Sequence, residues 1–117
     1  MKQKIKLALA QISSKRENKK ENLQKIETFT IKAKGQNADL VIFPELSLTG
    51  YVLHDQVYEL AETIPGPATK RIEYLAKKTG THIIFGMPEL SEKTEATIFN
   101  TAVFVGPSGY IGKFRKM

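Results

Sequence analysis

The chain has 117 residues, 41% hydrophobic and 26% charged, with no cysteine and a formal net charge of +6. That length suffices for one domain with a real core. The missing cysteine excludes a disulfide framework and any thiolate metal site, and two histidines, His54 and His82, are too few for a histidine cluster.

Residues 1–34 carry ten Lys or Arg against three Glu, and the remainder carries eight against nine acidic side chains. The basic excess, Lys15, Lys19, Lys20, Lys25, Lys32 and Lys34, flanks a helical apolar series, as on a solvated helix face. Without a series of aromatic side chains to stack bases and without a recognition signature, no specific nucleic-acid partner is expected. Unspecific attraction to acidic surfaces at low salt is. The stretch 5–12 is interrupted by Lys6 and Gln11 and leads into no cleavage pattern, and no apolar run reaches the length of a membrane span, so a soluble, cytoplasmic protein without membrane association is expected.

Ile5, Leu7 and Leu9 alternate with Lys6, Ala8 and Ala10, which predicts a first strand ending near Gln11. Asn18 with Glu21 three residues later forms a capping box, Leu23, Ile26, Phe29 and Ala33 recur at helical spacing, and Gly35 is read as the left-handed terminator. Residues 40–43 are uniformly apolar and are read as a strand covered on both faces. Strand, helix and strand in this order predict an α/β layer. Pro44 cannot donate to a ladder, so Glu45 emerges where the strand ends. A carboxylate there is read as half desolvated, with its pKa raised towards neutrality and suited to proton transfer; the plainer alternative is a solvated or salt-bridged Glu.

The chain then stays irregular through Asp55, with a short helix around 57–61 and a turn at 64–67 that puts Pro67 at a helix start. Ala68, Ile72, Leu75 and Ala76 form the stripe of that helix, which Gly80 ends. Residues 82–87 make a third strand, in which His82 reads as a strand-edge residue rather than a base. Residues 91–96 read as a loop. Strands 98–105 and 110–115 are joined by Gly106-Pro107-Ser108-Gly109, a composition for a tight antiparallel connection. Strand ends on one side of an α/β sheet converge on a crevice where ligands bind, which singles out Glu45 and Lys116, although by itself Lys116 reads more simply as a solvated lysine at a frayed C-terminus.

The run Phe43-Pro44-Glu45-Leu46-Ser47-Leu48-Thr49-Gly50-Tyr51 resembles the catalytic-glutamate motif of the carbon-nitrogen hydrolases, the nitrilase superfamily. Tyr110-Ile111-Gly112-Lys113-Phe114-Arg115-Lys116-Met117 resembles the strand that carries the family's catalytic lysine, normally continued by a His-Leu pair. Residues 64–69 and 99–105 are also similar to family segments, in family order. The resemblance implies the N-terminal half of an α-β-β-α sandwich with two sheets packed face to face. It further implies a single partial domain over 1–117, truncated before the nucleophilic cysteine that follows the lysine in the family.

The same resemblance implies roles. Glu45 would be the general base and acid, and Lys116 would stabilise the charge of the tetrahedral intermediate. Lys113, read as sharing a strand face with Lys116, is the competing candidate. Tyr51 would line the substrate pocket or cap a loop, and Asn100 reads as structural. No metal and no organic cofactor are implied. The expected partners are a small-molecule amide, nitrile or N-carbamoyl substrate and further copies of the chain. Half a sandwich exposes an apolar sheet face, so the chain alone is expected to be inactive and either oligomeric or marginally stable. The alternatives are the glutaminase domain of a glutamine-dependent NAD synthetase, a non-catalytic interaction remnant, or a small basic nucleic-acid-binding protein.

Overall fold

Side-chain and backbone caps set the limits of the two long helices in the computed structural model, which describes residues 4–51, 56–94 and 97–116; His54 and Met117 lie outside them. Helix α1 (Lys19–Gly35) starts where Asn18 Oδ1 accepts the Glu21 N–H at 3.0 Å. The return arm of the capping box is altered. The Glu21 carboxylate accepts from the Asn18 side-chain amide at 3.3 Å, because the Asn18 backbone N–H already donates to the Lys15 carbonyl. At the other end Gly35 stays helical and the left-handed residue is Asn37, with φ of 65°. Asn tolerates that conformation, and it lets the Ala38 N–H close back on the Ala33 carbonyl at 3.0 Å.

Helix α3 (Pro67–Thr79) ends as expected at Gly80, which is left-handed. Its start lacks a side-chain cap from Gly66, and Glu62 takes that role. One carboxylate oxygen accepts the Ala68 N–H at 2.8 Å and the other pairs with Lys19 at 2.8 Å, tying the starts of α3 and α1 together. Between the helices, α2 (Gln56–Leu60) is a single short turn of helix.

One five-stranded sheet runs in chain order: β1 (Leu7–Leu9), β2 (Leu40–Ile42), β3 (His82–Leu90), β4 (Ile98–Gly106) and β5 (Gly109–Arg115). The first three strands are parallel and the last two pairings antiparallel. Strand β1 is shorter than the alternation predicts, continued at one end by the Lys6 carbonyl, which accepts the Asp39 N–H at 2.7 Å, and at the other by the Ala10 N–H to the Ile42 carbonyl. Strand β3 is longer, passing through Pro88. The Pro88 carbonyl points away from β4 and accepts the Glu62 N–H, so the missing proline N–H costs no bond to β4.

Strand alternation divides the sheet into two faces. Val41, Ile83, Phe85, Met87, Val103 and Val105 are buried with Ile26 and Ala33 of α1 and Ala68, Ile72 and Ala76 of α3. The opposite face is open: Leu7, Leu9 and Phe114 are 55%, 72% and 70% exposed. Residues 40–43 are therefore covered on one face only, with Val41 buried and Leu40 and Ile42 half-buried, because the described residues supply helices to one side of the sheet. The α1 stripe is also rotated from the reading. Asn22, Ile26, Thr30 and Ala33 face inward, and Phe29 lies at the margin. His82, read as a strand-edge residue, is the first residue of the central strand β3, half-buried with its ring against that of Phe104. Among the described residues no helix is long and apolar enough to cross a membrane.

Candidate active site

Glu45 is carried by a tight turn whose hydrogen bonds converge on one glycine. After the Phe43 N–H bonds the Ile84 carbonyl, the chain leaves the sheet, and Leu46, with φ of 52°, reverses it. The Leu48 N–H donates to the Gly86 carbonyl at 3.0 Å, and the Gly86 N–H donates to Ser47 Oγ at 3.0 Å. The turn thus uses both backbone groups of a residue on the open face of β3. A second anchor comes from Asn22, which is fully buried. Its amide donates to the carbonyls of Lys15 and Leu48 and its oxygen accepts the Lys15 N–H, a hydrogen-bonded buried side chain joining the loop before α1 to the turn. Ser14 adds a hydroxyl bond to the Ser47 carbonyl at 2.7 Å.

Lys116 follows β5, where its N–H bonds the Asn100 carbonyl at 2.8 Å and extends the ladder by one residue. Its Nζ lies 3.1 Å from Glu45 Oε1, across 71 positions of sequence. The Tyr51 hydroxyl donates to Glu45 Oε2 at 2.7 Å. Glu45, Gly86, Asn100, Ala102, Phe114 and Lys116 line an open cleft of about 320 Å³ on the uncovered sheet face.

Glu45 does not have the raised pKa expected for a strand-end carboxylate. Hydrogen bonds from the Tyr51 hydroxyl, then from Lys116, hold it below the ordinary 4.5 against a smaller opposing effect of burial, and the nearby Asn100 side chain lowers it a little further. A carboxylate that gathers donors while its side chain remains 36% exposed is stabilised in its charged form. The same contact pushes the Tyr51 hydroxyl up. The Tyr51 hydroxyl is therefore taken up by Glu45, and Asn100, read as structural, is among the residues that line the cleft.

Lys113 is not on the face of Lys116. The two are an odd number of positions apart, so alternation sends Lys113 to the helix-covered side. There it meets Glu89, which the sequence reading missed. Glu89 is 1% exposed and accepts from Lys113, from Arg115 Nε and Nη2 at 2.9 and 3.0 Å, and from Thr101 at 2.9 Å. The signal was present: Phe85, Met87 and Glu89 continue one alternating inward series, and a buried carboxylate needs the cations that alternate at 113 and 115.

Burial alone would raise the Glu89 carboxyl, yet bonds from Arg115, Lys113 and Thr101 outweigh it and lower the pKa from 4.5 to about 2. A depressed folded-state pKa gives stability that is full above the unfolded value and lost as pH falls through the folded one. Glu89 is thus expected to contribute about 3 kcal/mol near neutrality, lost from about pH 4.5 down to about 2. Urea titrations across that range should show a steeper acid loss for the native chain than for Glu89→Gln; parallel curves would refute it.

Among the described residues no group of His, Cys, Asp and Glu side chains could hold a metal ion.

The carbon-nitrogen hydrolase family model matches residues 6–117. A nitrilase of Pyrococcus abyssi is 37% identical over 97% of this chain and 43% of its own length. An omega-amidase of Danio rerio is 32% identical over 91% of this chain and 37% of its own. The crystal structure of Nit3 from Saccharomyces cerevisiae, a member of branch 10 of the nitrilase superfamily, superposes with a TM-score of 0.84 at 30% identity, over 97% of this chain and 44% of that one. The chain therefore spans less than half the length of these relatives, and its five-stranded sheet with helices corresponds to the N-terminal part of the nitrilase fold.

Proposed function

The chain belongs to the carbon-nitrogen hydrolase family, and from that premise we propose that it forms the N-terminal part of an enzyme hydrolysing a small amide, nitrile or N-carbamoyl compound. The observation that carries this reading is the meeting of Glu45 and Lys116 at 3.1 Å on the open face of the sheet, each delivered by a strand end. The third member of a Glu-Lys-Cys triad would come from chain beyond these residues, since none of the 117 is cysteine.

In this reading Glu45 takes the thiol proton as the sulfur attacks the carbonyl carbon of an amide, or the carbon of a nitrile, whose thioimidate then adds one water to reach the same tetrahedral level. The ammonium of Lys116 stabilises the negative charge of the tetrahedral intermediate, an oxyanion-hole role. Glu45 returns a proton to the departing nitrogen, leaving a thioacyl-enzyme, and then activates the water that hydrolyses it. The donors around Glu45 keep it ionised and ready to accept a proton. Covering the open face with further protein would desolvate the carboxylate and bring its pKa closer to the working range of a general acid. Tyr51 orients the carboxylate at the edge of the substrate cleft. The assembled enzyme is read as a cytoplasmic homo-oligomer without cofactor.

The test compares this chain with a form extended through the downstream cysteine, screened for ammonia release from amides, nitriles and N-carbamoyl compounds. The extended form should turn over at least one of these classes. The 117-residue chain should release none, and it should sediment above monomer mass because Leu7, Leu9 and Phe114 lie uncovered. Hydrolysis by the purified chain alone would overturn the assignment of the nucleophile to an absent cysteine.

A further inference from the structure

The geometry points to Glu89 as a positioning residue that sets the register of β5 and so delivers Lys116 to Glu45. This inference rests on the Glu45–Lys116 site proposed above and extends it to the opposite side of the sheet.

Among the described residues β5 is an edge strand with β4 as its one neighbour. Its register is interrupted: Val105 pairs with Tyr110 but Phe104 pairs with Gly112, so Ile111 is an extra residue and the strand must be fixed again beyond the bulge. The β4–β5 turn cannot specify that second half by itself. Apolar packing does not specify it either, since Ile111 and Phe114 are 54% and 70% exposed. A one-residue slip would turn every later side chain over, sending Lys116 to the helix-covered face and away from Glu45.

What fixes the second half is the fork formed with Glu89. Arg115 meets both carboxylate oxygens, Lys113 meets one of them, and Thr101, directly opposite Arg115 on β4, meets the other. The guanidinium also lies 4.0 Å over the Phe99 ring, whose residue pairs with Glu89. A bidentate Arg–carboxylate contact has one geometry, and two cations at alternate positions of one strand can both reach the carboxylate in one register. The odd spacing then places Lys116 on the other face. The buried carboxylate on one side of the sheet and the exposed one on the other are held to consecutive residues, Arg115 at the end of β5 and Lys116 just after it.

The test reads the site without reading turnover. The Glu45 carboxyl is titrated by 13C NMR in the full-length protein, its signal assigned by loss in Glu45→Gln. Lys116→Met removes the ammonium and defines the largest upward movement of the midpoint. Glu89→Gln keeps the volume and one acceptor oxygen, and should move the Glu45 midpoint by most of that amount while unfolding stays cooperative. Arg115→Gln changes a half-exposed residue and should do the same, which keeps the test decisive where Glu89→Gln fails to fold. A folded Arg115→Gln or Glu89→Gln protein with the Glu45 midpoint unmoved would overturn the inference. Since no substrate is involved, a failed activity screen and a failed positioning role give separate results.

Discussion

Glu45→Gln in the full-length protein is expected to lower kcat by on the order of 10²- to 10⁴-fold, the range a positioned general acid–base supplies, with a much smaller effect on KM. Glutamine preserves the volume, and its carbonyl oxygen can still accept from Lys116 or the Tyr51 hydroxyl, so the turn that Gly86 and Asn22 hold is not disturbed. What disappears is the proton acceptor. Lys116 loses its counter-charge, but with its side chain 64% exposed it stays solvated, and no folding penalty should obscure the kinetics. Steady-state assays of the purified variant on a substrate of the native enzyme decide the matter. Turnover within about tenfold of native would remove Glu45 from proton transfer and leave it as the partner of Lys116 alone.

The elements were legible where the side-chain period is regular and one-sided. Ala68, Ile72, Leu75 and Ala76 specify α3, and Gly80 ends it as read, in a left-handed conformation. Strands β4 and β5 and their short connection follow from alternation and from Gly106 to Gly109. The motif around Glu45 and the Lys116 segment were recognisable because short runs of particular residues carry them. The expectations that failed concern contacts which sequence spacing does not encode. The pKa of Glu45 was read from its place at a strand end, but its direction depends on Tyr51, Lys116 and Asn100, which reach it from separate elements. Asn22 looks like an ordinary polar helix residue until the loop at Lys15 and the turn at Leu48 are brought against it. Lys113 was misplaced for a different reason. Counting along the strand would have put it opposite Lys116, and the same count would have paired it with Glu89.

Val41, Ile83 and Phe85 are sealed beneath helices, so the helix side of the sheet has the ingredients of an ordinary α/β core. Leu9 and Phe114 on the other side have no cover among the described residues, and the proposed catalytic pair lies on that same side. In the reading adopted above, one event would cover the apolar face, add the nucleophile and desolvate Glu45. Folding and assembly of the site would then be the same step, and the isolated chain would fail in both respects together.

Gly86→Ala is expected to destabilise the protein by about 3 to 5 kcal/mol and to cost activity beyond that loss. A Cβ at Gly86 would lie 2.4 Å from the Leu46 amide nitrogen and 3.0 Å from both the Glu45 carbonyl carbon and the Pro44 oxygen. These are backbone atoms, so no side chain can swing aside. Either β3 or the Glu45 turn must move. If the turn moves, it strains or breaks the bonds from Gly86 N–H to Ser47 and from Leu48 N–H to Gly86. Gly86 is not among the glycines with positive φ, so its role is the space it leaves and not unusual backbone freedom. A purely conformational explanation would predict a loss, or even a gain, of no more than about 1 kcal/mol. Ser47→Ala separates the two contributions, because it removes the hydroxyl acceptor without adding volume and should cost about 1 to 3 kcal/mol. Chemical denaturation of both variants, with kcat measured on the folded fraction, is the decisive measurement. A Gly86→Ala protein no less stable than Ser47→Ala would mean that the turn can shift freely. Glu45 would then be held by Asn22 and Tyr51 and not by the close approach to β3.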